Sequence, residues 1–191
     1  MFKEIEKFNF RDSLITLSGG NPALQPFGDL IELGQTNNYT FALETQGTVF
    51  RDWFKNLDHL ILSPKPPSSG MPTDMDKLAK CFDCVGRCGE VSIKIVVFDE
   101  EDYEYARTMR QVCKGWGFYD FYLQAGNDWV ADEDVNPEFR ISLKGGSDLS
   151  QRDSILNRTR WLQERVLRDR WVNAIVLPQL HVLLHGNQRG V

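Results

Sequence analysis

Leu14-Ile15-Thr16-Leu17-Ser18-Gly19-Gly20-Asn21-Pro22-Ala23-Leu24-Gln25-Pro26 is the stretch whose reading decides the fold. An apolar run ends in paired glycines, and a helix-like pattern follows. Glycine has no Cβ and accepts positive φ, so a strand that ends this way lets another group approach the backbone closely. Strand ends of the same kind recur downstream at Glu44-Thr45-Gln46-Gly47, Ser63-Pro64-Lys65-Pro66 and Leu123-Gln124-Ala125-Gly126-Asn127. Polar residues gathered at the C-terminal ends of successive strands are the layout of an α/β active-site face.

Outward from these ends, short apolar runs alternate with helical patterns. Strands are expected at 14–18, 40–43, 59–62, 91–98 and 118–124. Helices are expected at 1–8, 27–36, 51–56, 74–83, 99–113 and 151–171. Alternation of this kind favours parallel βαβ units with right-handed crossovers. Residues 64–72 form a proline-punctuated loop, 126–150 read as a polar surface excursion, and Val176-Leu177-Pro178-Gln179-Leu180-His181 reads as a C-terminal tail. A closed eight-unit barrel needs about 250 residues. The 191 residues here give five clear units, so the expectation is an α/β fold, a partial (β/α) barrel, in a single domain over 1–191.

Composition sets bounds on function. Hydrophobic content of 41% and charged content of 26% belong to an ordinary globular chain. A net charge of −5 argues against a large nucleic-acid surface. No apolar run approaches the roughly 18 residues that span a bilayer, and the charged start lacks the apolar core of a signal peptide. A cytoplasmic protein is expected, with its 4 cysteines as thiols or metal ligands and not as a disulfide framework.

Five segments together resemble the 7-carboxy-7-deazaguanine synthase family, in its Bacillus-like form. They are 18–24 (SGGNPAL), 42–48 (ALETQGT), 63–69 (SPKPPSS), 122–127 (YLQAGN), and the tail 177–181 (LPQLH) with 186–191 (GNQRGV). The resemblance implies a lyase of the radical S-adenosylmethionine (SAM) type in queuosine biosynthesis. Such an enzyme converts 6-carboxy-5,6,7,8-tetrahydropterin to 7-carboxy-7-deazaguanine and ammonia by radical ring contraction. It also implies a [4Fe-4S] cluster, magnesium, a homodimer and a flavodoxin-type or other electron donor. The family's cluster-binding cysteines lie upstream of the Gly-Gly-Asn-Pro strand, and only about a helix's worth of residues precedes that strand here. The chain therefore reads as an N-terminally truncated radical SAM barrel, inactive without the cluster segment. The alternatives are a catalytically dead SAM- or pterin-binding fragment, or a metal-binding protein using Cys81, Cys84 and Cys88.

Residue by residue, the resemblance assigns Gly19, Gly20, Asn21 and Pro22 to the methionine end of SAM. Gly47, Ser63, Pro64, Lys65, Gln124, Ala125, Gly126 and Asn127 are further SAM contacts. Thr45 and the carboxylate of Val191 are pterin contacts. The chemistry suits these types: a lysine neutralises a carboxylate as a point charge, and amides offer the donor and acceptor that an adenine edge needs. Glu44 reads either as a structural carboxylate or as a helper of SAM, and His181 either as a site residue or a structural one. His59 reads as structural. Cys81-Phe82-Asp83-Cys84-Val85-Gly86-Arg87-Cys88 has a ligand-like C-x2-C-x3-C spacing, but its order and position are wrong for the family's cluster, so it reads as thiols at a helix end. Arg152, Arg158, Arg160, Arg165, Arg168 and Arg170, interleaved with Trp161 and Trp171, read as the solvated face of an amphipathic helix, with no catalytic residue assigned.

Overall fold

A computed structural model describes residues 1–7, 12–83, 90–116, 121–127 and 151–185. Cys84, Cys88 and Val191, with most of 126–150, lie outside the described residues. The described elements are α1 (Phe2–Glu6), β1 (Leu14–Leu17), α2 (Gly28–Gln35), β2 (Thr40–Thr45), β3 (His59–Leu62), α3 (Met75–Phe82), β4 (Glu90–Val97), α4 (Glu100–Gly115), β5 (Phe121–Ala125), α5 (Gln151–Arg168), β6 (Ala174–Leu177) and α6 (Leu180–His185). The strands form one open sheet in chain order, with β1 and β6 as its ends. The pairings β1/β2, β2/β3, β3/β4 and β5/β6 are all parallel. By contacts the chain divides into two compact units, Met1–Ile95 and Val96–Val191.

In the first unit, alternation along the strands separates a core face from a polar one. Phe41, Leu43, Leu60, Leu62, Val91, Ile93 and Ile95 are buried. Their neighbours in sequence, Glu44, Ile61, Ser92 and Lys94, are half-buried on the opposite face. The register aligns Glu44 with Ile61 and Ile61 with Ser92, so these side chains form one row. α2 lays Ile31 and Gly34 on the core face. A Cβ at Gly34 would stand 2.4 Å from the Phe41 ring, so that helix approaches β2 only through glycine. α3 buries Leu78, Cys81 and Phe82, and Asp74 caps it by accepting from the Lys77 N–H. That hydrogen bond holds the Asp74 carboxyl below its ordinary value.

The second unit is built on aromatics. Trp171, Tyr103 and Phe121 are buried together, with ring centroids 6.3 Å (Tyr103–Trp171) and 5.5 Å (Phe121–Trp171) apart. α4 contributes Tyr103, Ala106, Met109 and Cys113, and α5 contributes Ile155, Leu162 and Val166. Burial pushes the Cys113 thiol up to about 12. Burial, and then the hydrogen bond from the Tyr103 hydroxyl to Asp169 at 2.9 Å, raise the Tyr103 phenol far above its ordinary value.

Two helices stop the same way. At the end of α2, Asn38 (φ +64) donates to Gln35 O and buried Tyr39 donates to Gly34 O. At the end of α5, Arg170 (φ +50) donates to Leu167 O and buried Trp171 donates to Val166 O. Both are Schellman turns with an apolar residue closing the corner. Asn tolerates the left-handed conformation; Arg adopts it at a cost.

Several expectations are corrected. The tail expected from Val176 instead begins in a sixth strand, β6 (Ala174–Leu177), too short to show an alternating pattern, and continues into α6. The 40–43 strand runs on through Glu44 and Thr45. The helix expected at 51–56 is a 3-10 turn, Asp52–Asn56. The long helix ends at Arg168, where the Schellman turn begins, and not at 171. Its arginine face is not uniformly solvated. Arg165 pairs with Glu100 of α4 and lies 5.2 Å over the Tyr103 ring, and Arg158 reaches the β5 end.

Candidate functional site

In the first unit the strand ends are tied to one another by side chains. The Thr45 hydroxyl donates to Asn21 Oδ1 at 2.8 Å and accepts from the Gly47 N–H at 3.4 Å. Asn21 Nδ2 donates to Thr48 Oγ1 at 3.0 Å. The Ser63 N–H donates to Thr45 O at 2.7 Å, joining the β3 end to the β2 end. Thr45 is 2% exposed and Ser63 4%. The hydroxyl of Thr45 is thus committed to holding Asn21 and Gly47 in place. The expected site residues Asn21, Thr45, Gly47 and Ser63 are brought together, with Thr45 at the centre of the knot.

The glycines beside this knot are set by backbone conformation. Gly19 (φ +87), Gly20 (φ +53) and Gly47 (φ +76) all occupy the left-handed region. A Cβ on Gly19 or Gly20 would meet nothing within 4 Å. Those two are exposed, so their peptide groups front open space where a ligand has room. Gly47 differs: it is buried, and its added Cβ would meet Leu78 Cδ1 at 2.4 Å. Pro22 is buried and starts the 3-10 turn Pro22–Leu24, which fixes the exit of the chain from Asn21.

Lys65 follows buried Pro64 and is half-buried. Its carbonyl accepts from Thr73 Oγ1 at 3.1 Å, which pins the loop. Among the described residues its ammonium has no carboxylate partner. On the polar sheet face, Lys94 Nζ lies 2.5 Å from Glu44 Oε1, reaching across β3, with side chains 20% and 30% exposed. This settles Glu44 as the partner of Lys94. Sequence reading missed Lys94, although a charged residue alternating with Ser92 inside an otherwise apolar strand was the available signal.

In the second unit, Gln124 to Asn127 occupy the β5 end. Ala125 and Gly126 are buried, while Gln124 and Asn127 are half-buried. The Gly126 N–H donates to Val97 O at 2.8 Å, and Arg158 Nη1 donates to Gly126 O. His181 is exposed on α6. His59 Nδ1 stands 3.4 Å from Glu90 Oε2 at the start of β3.

The donor sets answer differently to the groups the resemblance implies. Glycine-lined strand ends and an unpaired lysine suit a zwitterionic, adenosine-bearing ligand such as SAM. An iron–sulfur cluster and magnesium do not fit the described residues: no group of three or more His, Cys, Asp and Glu among them is arranged to hold a metal ion. Cys81 is buried on α3, its sulfur 3.8 Å from the carbonyls of both Gly47 and Val49. Among the described residues no helix is long and apolar enough to cross a membrane.

Comparison with known proteins adds independent findings. No family model matches the chain. It is 43% identical over 184 residues to the 7-carboxy-7-deazaguanine synthase of Bacillus subtilis (strain 168), covering 94% of this chain and 69% of that one. It is 37% identical over 182 residues to the protein of the same name from Bacillus cereus, with the same coverage of 94% and 69%. In structure it is similar to QueE from Escherichia coli, with a TM-score of 0.55 and 16% identity, covering 93% of this chain and 62% of that one. The structural likeness bears on the fold alone. The chain spans about two thirds of the length of these relatives.

Proposed function

The chain belongs to the 7-carboxy-7-deazaguanine synthase family, and we propose that its strand ends hold SAM and the pterin substrate for the ring contraction. The reaction so proposed converts 6-carboxy-5,6,7,8-tetrahydropterin to 7-carboxy-7-deazaguanine and ammonia. The observation that carries the reading is the left-handed pair Gly19-Gly20, open to space and anchored by the Asn21–Thr45–Gly47 knot.

In this reading SAM supplies, when bound, the adenosyl group that initiates radical chemistry. The chain's own residues bind and orient it. In this reading the peptide groups of Gly19 and Gly20 receive the methionine ammonium, and Lys65 neutralises its carboxylate. Thr45 acts through Asn21 and Gly47: a buried hydroxyl that donates to one and accepts from the other holds both strand ends at once. Lys94, paired with Glu44, keeps the polar sheet face fixed, so no rearrangement is needed when substrate arrives. The cluster does not fit the described residues, and no step is routed through it. The family's homodimer, its electron donor, the pterin contact of Val191 and a cytoplasmic setting belong to the same proposal.

Ligand-dependent thermal stability tests the reading, because any ligand that binds only the folded chain raises its melting temperature. S-adenosylhomocysteine and 6-carboxytetrahydropterin are expected to raise it separately and to add when present together. Gly20→Val should remove the first effect and leave the second. A folded chain whose melting temperature responds to neither compound at millimolar concentration would overturn the proposal.

A further inference from the structure

Arg158 lies on α5, the helix whose arginines read from sequence as a solvated stripe. It is half-buried, and Nη1 donates to the carbonyl of Gly126 at the end of β5. Its guanidinium carbon also stands 5.6 Å from the centroid of the Phe98 ring. Phe98 is itself held: its N–H donates to Asp102 Oδ2 at 2.9 Å, and that carboxylate is fully buried at the first turn of α4. The ring sits where a Gly126 side chain would be, since a Cβ there would meet three Phe98 ring atoms at 2.6–2.7 Å. Gly126 is further fixed by donating to Val97 O. Three contacts therefore converge on Gly126, which has no side chain of its own: the Arg158 guanidinium, the Val97 carbonyl and the Phe98 ring.

We propose that Arg158 is a positioning residue for the adenosine half of SAM. The inference rests on the SAM-binding reading of residues 124–127. An arginine is charged at every working pH, so its grip on the Gly126 carbonyl is permanent and charge-assisted. A backbone segment that reads an adenine edge must present its groups in one arrangement before the ligand arrives. Without the guanidinium, the Gly126 peptide samples other orientations, and the apparent affinity falls by the fraction of chains still in the competent one. Arg158 thus stands one contact behind the ligand, with Phe98 as the floor that keeps the segment from sinking.

The experiment is calorimetry on the full chain with two probes. One is S-adenosylhomocysteine, and the other is 5′-deoxy-5′-methylthioadenosine, which keeps the adenosine end and lacks the amino acid. Wild type, Arg158→Met, Arg158→Lys and the exposed control Arg160→Ala are compared about 20 °C below the lowest melting temperature, so that global unfolding does not enter. The expected result is a loss of about tenfold for both probes in Arg158→Met, the loss of one charge-assisted hydrogen bond expressed as affinity. Arg158→Lys should fall between Met and wild type, and Arg160→Ala should equal wild type. Should Arg158→Met not fold, the Lys variant carries the test, with a loss equal for the two probes as the expected sign. Binding of methylthioadenosine within twofold of wild type by the folded variants would overturn the inference. Wild type that binds neither probe would overturn the SAM reading on which it rests.

Discussion

The β2 end and the β5 end are made rigid in opposite ways. At β2 the polar side chains consume one another: Asn21, Thr45 and Thr48 form a neutral hydrogen-bonded knot, and Gly47 takes a left-handed turn against Leu78. At β5 a charged residue from a helix grips a bare peptide over an aromatic floor. Neither device is local in sequence: Asn21 stands 24 and 27 residues from Thr45 and Thr48, and Gly126 stands 32 from Arg158. A neutral knot contributes about 1 kcal/mol per bond and fails bond by bond. A charge-assisted clamp concentrates its effect in one residue.

The largest difference is expected at alkaline pH, and it should fall on the β5 unit. Tyr103 and Cys113 both lie there and both have raised values in the folded chain. The unfolded chain therefore releases these protons first, and the stability they lend is present in full below about pH 9 and is lost as pH rises through about 12. Melting temperature should fall steeply above pH 9, and hydrogen exchange should show α4 opening before β2. A melting temperature that stays flat to pH 11 would contradict this.

Next in size is Gly47→Ala. The left-handed backbone costs roughly 1–2 kcal/mol for any residue with a Cβ, and displacing Leu78 adds to it, for about 2–4 kcal/mol by chemical denaturation. Gly126 has ordinary φ and its added Cβ would meet first the Phe98 ring, so about 1–3 kcal/mol is expected for Gly126→Ala. Equal costs for the two would erase the distinction between a strained turn and a packed floor. Thr45→Val keeps the shape and removes the hydroxyl. It leaves Asn21 Oδ1 and the Gly47 N–H without their partner and should cost about 1–3 kcal/mol. The smallest change is a gain: Arg170→Gly relieves the left-handed arginine that ends α5 and should stabilise by about 1 kcal/mol.

Most of the strand ends were legible because glycine, proline and small polar residues punctuate apolar runs, and that punctuation has a conformational cause. Gly19, Gly20 and Gly47 do sit at positive φ. The five expected strands are present, because buried parallel strands are continuous in sequence. β6 escaped because Ala174–Leu177 is short and only partly buried, leaving nothing for periodicity to grip. The roles of Arg158 and Lys94 escaped for another reason. Both depend on partners distant in sequence, Gly126 and Glu44, and a charge pattern on one element does not reveal what another element brings to it. Thr45 is expected from sequence to contact the pterin, but its commitment to Asn21 and Gly47 is visible only in three dimensions.

The account's central claim is that the paired glycines after β1 and the turn after β2 form the seat of an adenosyl ligand. The most direct measurement is a titration of S-adenosylhomocysteine into the isotope-labelled chain, following the amide resonances of Gly19, Gly20 and Gly47. The account predicts that all three shift saturably and together, while Gly70, which also has positive φ but lies on the proline-punctuated loop, stays where it is. Stationary resonances for Gly19, Gly20 and Gly47 in a folded chain at millimolar ligand would contradict it.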